Sequence, residues 1–199
     1  EIASCLVGSE MCIRDRYRGG GEKVTFAQAR NAIVSGLEAH IGCPVNLSEQ
    51  IADMPEYPYC YYSVLAPRIP EYSFGLREII ETPDGPLLVR SEQVSATMSF
   101  TFCSTNRETE DGYIFGEDEA LELAEKANGF FLLNAHNIQT EQGEVVIVNV
   151  GSVASRSSFF VEDTIRRYGF DIRFSYVRTD TMPATLVERP GNPIGDIKQ

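Results

Sequence analysis

Between Gln93 and Cys103 the chain reads QVSATMSFTFC, and apolar and polar residues alternate there without a break. Val94, Ala96, Met98, Phe100 and Phe102 fall on one side; Ser95, Thr97, Ser99 and Thr101 fall on the other. Successive side chains of a strand point to opposite faces, so a period of two predicts a strand with one buried face. The stretch YGFDIRFSYVRT repeats the pattern, with Phe170, Ile172, Phe174 and Tyr176 inward, Asp171, Arg173 and Ser175 outward, and Arg178 near its end. The apolar run EVVIVNVGSV predicts a third strand.

Half-buried strands need a second layer to cover them, and two helical patterns supply it. In VTFAQARNAIVSGLEAHIG the pair Thr25 and Gln28 has capping-box spacing. Phe26, Ala29, Ile33, Leu37 and Ile41 form one apolar stripe, and Gly42 before Pro44 ends it. In EDEALELAEKANGFFLL the stripe is Ala120, Leu123, Ala124, Ala127, Phe130 and Phe131. Glu117, Asp118 and Glu119 suit the positive end of that helix, and Gly129 is read as its kink or end. The order of helix, strands, helix, strands predicts an α+β fold, a mostly antiparallel sheet with two helices packed on one face.

The connections carry their own expectations. PEYPYCYYSVLAP sets aromatic and β-branched residues between prolines, predicting a strand from about Tyr59 to Leu65. Arg68 to Gln93 is long for a loop and contains TPDGP, so a hairpin arm or flap is expected. GSVASRSS is read as a flexible connection. Beyond residue 180, MPATLVERPGNPIGDIKQ holds three prolines and reads as an extended tail over residues 181–199. Its apolar residues, among them Leu186 and Ile194, suggest docking on a neighbour rather than pure solvation.

Residues 1–23 are read as a non-native leader. LVGSEMCIRDR fits no helical or alternating pattern and back-translates to one frame of a transposon-end sequencing adapter. RGGGEK can be written in codons as a purine-rich ribosome-binding site, and Val24 as a GTG start. A single domain over residues 24–180 is then expected.

Searching for chemistry yields little. With 29 Asp and Glu against 17 Lys and Arg, the net charge is −12, which argues against a general grip on nucleic acid. Cys5 and Cys12 lie in the leader, while Cys43, Cys60 and Cys103 lack paired or zinc-like spacing. A reduced, cytoplasmic setting is expected, with Cys60 and Cys103 as small buried hydrophobes. His40 and His136 are isolated, RETED and EDE lack the spacing of a calcium loop, and the serines of GSVASRSS have no nucleophile-elbow setting. No catalytic residue, cofactor site or metal site is assigned, and no apolar run is long enough to span a membrane. Tyr57, Tyr59, Tyr61 and Tyr62 exceed what one buried face of a strand needs, so a core strand and a subunit interface stand about even.

With these segments in hand, the chain resembles the phage neck terminator family, the tail terminator or head-tail joining proteins. The resemblance runs through FAQARNAIVSGLEAHIG, PEYPYCYYSVL, SATMSFTF, VVIVNVGSV and FVEDTIRRYGFDIRFSY, in that order. It implies a non-enzymatic virion protein of the neck or tail, assembled in the bacterial host cytoplasm. Such a protein forms a ring, commonly a hexamer, that ends the tail tube and joins it to the head connector. Its partners would be copies of itself, tail-tube protein and portal-proximal connector protein, with no membrane. DNA would pass through the lumen without specific binding, and Glu108, Glu110 and Asp111 are the acidic residues expected to face it. The residues alone leave open a small cytoplasmic α+β enzyme, or a protein-binding module, with an unrecognised site.

Overall fold

The computed structural model describes residues 24–48, 55–71, 74–110, 112–157 and 164–184. The proposed leader lies outside them, as do Asp111, Leu186 and Ile194. The elements in chain order are α1 (Phe26–Ile41), β1 (Val45–Leu47), β2 (Tyr59–Pro70), β3 (Leu76–Thr82), β4 (Gly85–Ser104), β5 (Arg107–Thr109), β6 (Gly112–Ile114), α2 (Gly116–Leu133), β7 (Ile138–Thr140), β8 (Gly143–Val150), β9 (Ala154–Ser155) and β10 (Arg166–Pro183).

The two alternating stretches are the two longest strands, and they are neighbours. β4 and β10 pair antiparallel from Ser104 and Arg166 at one end to Leu87 and Pro183 at the other. Phe100 stands opposite Phe170, Met98 opposite Ile172 and Ala96 opposite Phe174, so the apolar sides of both strands merge into one face. Around this pair the sheet runs β1, β2, β4, β10, β8, β7. It is mixed rather than purely antiparallel, because β1 lies parallel to β2. Parallel neighbours need a crossover connection, where a tight hairpin would give an antiparallel pair.

Both helices lie on the apolar face. Ala29, Ile33, Leu37 and Ile41 of α1 and Ala124, Ala127 and Phe131 of α2 join the same core as the β4 and β10 side chains. Phe131 is the junction, its ring 5.4 Å from Phe100 and 5.9 Å from Phe170. Burying each such side chain is worth roughly 1.5–3 kcal/mol. The capping box forms as read, with the Gln28 N–H on Thr25 Oγ1 and the Thr25 N–H on Gln28 Oε1. Gly42 ends α1 at φ 79°, a conformation that favours glycine.

Four local readings change. α2 runs past Gly129 to Leu133, because the interior packing on Phe131 holds the last turn. β2 continues beyond Leu65 to Pro70, and β10 continues beyond residue 180 to Pro183. Proline is tolerated there because both strands run out toward the sheet's periphery, Pro183 pairing with β4 alone. GSVASRSS contains a bridging strand, β9, which pairs with Tyr168 and Gly169.

β9 also explains why the helix-free face buries Ser99 and Thr101. Arg156 follows β9 and lays its guanidinium on that face, donating to Ser99 Oγ, to Thr101 Oγ1 at 2.9 Å and to Asp171 Oδ1 at 2.7 Å. Gly169 makes room, since a Cβ there would collide with the Phe100 carbonyl and meet Arg156 Nε at 2.9 Å. Gly169→Ala is therefore expected to destabilise the fold by about 1–3 kcal/mol. Phe100→Ala, which opens a cavity under both helices, should cost about 3–5 kcal/mol. Urea unfolding of the two variants against the parent checks the size and the order.

Candidate functional site

Among the described residues, most of the large apolar side chains that the fold leaves uncovered lie in three places, with Leu65 on β2 exposed apart from them. The largest is the arm expected between Arg68 and Gln93. Past the body of the sheet, β4 carries β3 on one side and the end of β10 on the other, a three-stranded antiparallel extension. Its tip is the turn at TPDG, where Thr82 Oγ1 donates to the Gly85 carbonyl and Gly85 has φ 113°. Paired residues share a face, so Leu76, Ile80 and Leu87 lie on one side of the arm, and Ile79, Leu88 and Met182 on the other. Phe74, Leu76, Ile79, Ile80 and Met182 are 36–72% exposed.

A charge cluster fixes the arm at its root. Glu92 is buried, and its Oε2 accepts from Arg68 on β2 at 2.8 Å and from Arg90 on β4. Arg90 also donates to the Phe74 carbonyl at 2.7 Å and to Asp180 of β10 at 3.3 Å. One carboxylate thus ties the arm's strands to the sheet.

The second place is the hairpin of β5 and β6, which stands apart from the main sheet. Glu119 near the start of α2 accepts two bonds from Arg107, at 2.7 and 2.8 Å, and one from Ser104. The Arg107 guanidinium and the Ser104 hydroxyl hold the Glu119 carboxyl below its ordinary value of 4.5 against the opposing effect of burial. Tyr113 of the hairpin and Phe115, the N-cap of α2 just after it, are exposed and packed edge to face at 5.0 Å. Glu108 and Glu110 are exposed on it. The third place is the end of α2, where Leu132 and Leu133 face outward; Val148 of β8 is also exposed.

The tyrosine cluster divides. Tyr59 and Tyr62 are buried in the subunit itself, Tyr62 6.1 Å from Phe100 and Tyr59 5.4 Å from Tyr57. Tyr57 and Tyr61 are half-buried.

Cys43, Cys60 and Cys103 are buried thiols in no disulfide, and burial pushes the Cys43 thiol up to about 11 and the Cys60 thiol higher than usual as well. His40 packs its ring 5.1 Å from Phe130, and His136 lies in the turn after α2. Among the described residues no group of three or more His, Cys, Asp or Glu could hold a metal ion, and no helix is long and apolar enough to cross a membrane.

A family model for phage neck terminator proteins matches residues 31–198, taking in both helices after the first turn of α1, the full sheet and the arm. The chain belongs to the phage neck terminator family. It is thereby a structural protein of a phage tail or neck and a component of the virion. No curated protein matches the sequence. One solved structure is similar at a TM-score of 0.42 and 13% identity, covering 75% of this chain and 90% of its own, a likeness too slight to argue from.

Sequence reading placed the arm but not its apolar faces. LREII and PLLV were visible, yet neither alternates cleanly, because both sides of the arm carry apolar residues. The Glu92 cluster left no local signal, since its members come from β2, β4 and β10.

The Arg107–Glu119 pair makes a pH-dependent contribution. A carboxyl held below its ordinary value stabilises the fold above that value, and the contribution fades as pH falls through the folded-state value. Glu119→Gln should therefore be less stable than the parent at pH 7, and the gap should narrow below 4.5. Thermal melts from pH 7 to pH 3 check this; a gap that stays constant contradicts it.

Proposed function

We propose that this protein forms a closed ring, of six or so subunits, that terminates the tail tube and joins it to the head connector. Family membership supports the neck setting. The observation that carries the ring is that, among the described residues, the exposed large apolar side chains are spread over separate places, chiefly the arm, the β5–β6 hairpin with Phe115 and the end of α2, with Leu65 on β2 and Val148 on β8 apart from these. A ring of more than two copies is built from unlike surfaces meeting head to tail, and a joining ring needs further contacts along its axis. A chain with one neighbour would need one patch.

The role is structural, with no catalysis, cofactor or metal. Copies of this chain, tail-tube protein and connector protein are its partners, and assembly takes place in the bacterial host cytoplasm. The acidic balance suits a channel crossed by DNA, because like charges within about 8 Å at physiological salt repel the phosphates instead of holding them. Glu108, Glu110 and Asp111 are proposed for the lumen side. The segment from residue 185 onward, with Leu186 and Ile194, is proposed to dock on a neighbouring subunit or on the connector.

Mass photometry of the purified chain, alone and with tail-tube protein, tests the reading. A species of about six copies is expected in at least one condition; monomer in both contradicts it. Truncation after Pro183 should leave the melting temperature within a few degrees of the parent yet yield separate heads and tails. Normal particles from the truncated protein would remove the docking role of the tail.

A further inference from the structure

The arm is long relative to the body that carries it. β4 is 20 residues and β10 is 18. At about 3.3 Å per residue, β4 spans roughly 65 Å. A compact domain of this size has a radius of gyration near 15 Å, so it is about 40 Å across. The arm therefore reaches beyond its own subunit, and its apolar residues cannot all be covered by that subunit's core.

Both faces and one edge of the arm ask for cover. Leu76 and Ile80 stand on one face, Ile79 and Met182 on the other, and Phe74 at the base is 72% exposed. Together they present on the order of 500 Å² of apolar surface, close to the apolar part of one side of a standard interface. Among the described residues β3 pairs only with β4, leaving its far edge open, and it contains no proline to block pairing. An open edge is a template for pairing with another chain; here Leu76, Ile79 and Ile80 favour such pairing, while Arg77, Glu78 and Glu81 limit it to a partner that accommodates their charges. The arm is also pre-set, because the Glu92 cluster holds its root to three strands. Ordering it on contact then costs little.

From this we infer that the arm is an intersubunit clasp, received on both faces by a second copy of this chain. The inference rests on the ring reading and deepens it by naming the contact between neighbours. A second copy is the occupant that fits: a head-to-tail ring requires each chain to place one surface on the next, and the arm overreaches its own domain by about 25 Å. Nucleic acid does not fit a surface that combines these apolar residues with Glu78, Glu81 and Asp84.

The experiment uses the full chain with tail-tube protein present. The double variant Leu76→Glu, Ile79→Glu places one charge on each face of the arm. Both positions are exposed, so circular dichroism melts should stay within a few degrees of the parent. Self-association read by mass photometry should weaken at least tenfold. In a second measurement, a photoreactive residue replaces Phe74 in a mixture of light and heavy isotope-labelled copies. Cross-linked peptides joining light to heavy chains are expected. A parent that forms rings while the double variant also forms them at the same concentration overturns the clasp and leaves the ring standing. Cross-links confined to one copy, or made to tail-tube protein alone, overturn it too. A parent that forms no ring removes the ring reading, and the clasp with it.

Discussion

The antiparallel ladder between β4 and β10 is the contact on which the rest of the molecule depends. It sets Phe100 against Phe170 and Met98 against Ile172, making the apolar floor on which both helices lie. The same ladder continues past the helices to Leu87 and Pro183, where it becomes the arm's central pair. Body and arm are one hydrogen-bonded unit. A residue shift of one along this ladder would turn Phe170, Ile172 and Phe174 to the opposite face, so the buried aromatic set fixes the arm's register as well.

Much of this was legible because the period of two is strong where one face is apolar and the other polar. The alternation in Gln93–Cys103 and in Tyr168–Tyr176 is the core itself, and the stripe of Ala29, Ile33 and Leu37 is its cover. Legibility falls where the physics is shared between distant segments. No local pattern records the parallel placement of β1 against β2. Gly129 read as a kink or end of the helix because glycine is costly in a helix interior; the helix runs on, and Phe131 packing one half-turn later outweighs that cost. The Tyr57–Tyr62 cluster looked excessive for one face; Tyr59 and Tyr62 are buried inside the subunit, and Tyr57 and Tyr61 are half-buried.

The polar residues of the helix-free face follow the same division. Ser99 and Thr101 read as solvent-facing from their alternation, and both are buried. The reason is Arg156, some 55 residues further along the chain, whose guanidinium replaces water for both hydroxyls and meets Asp171. Glu71 and Arg173 make a second such pair on that face at 2.6 Å, joined by Ser95. Buried hydroxyls need partners, and here charged groups brought in by loops provide them. A polar strand face in a sequence thus marks where partners are needed, whether water or protein supplies them.

Because the arm and the core share β4 and β10, a load applied at the arm tip does not stop at a hinge. A pull along the strands puts the ladder in shear, and its bonds then bear the load side by side instead of opening one after another. Resistance to such a pull is set by the barrier to unfolding rather than by equilibrium stability alone. A subunit built this way passes tension directly from its outermost contact into its aromatic core, so the stiffness of any assembly held by these arms is the stiffness of the β4–β10 ladder.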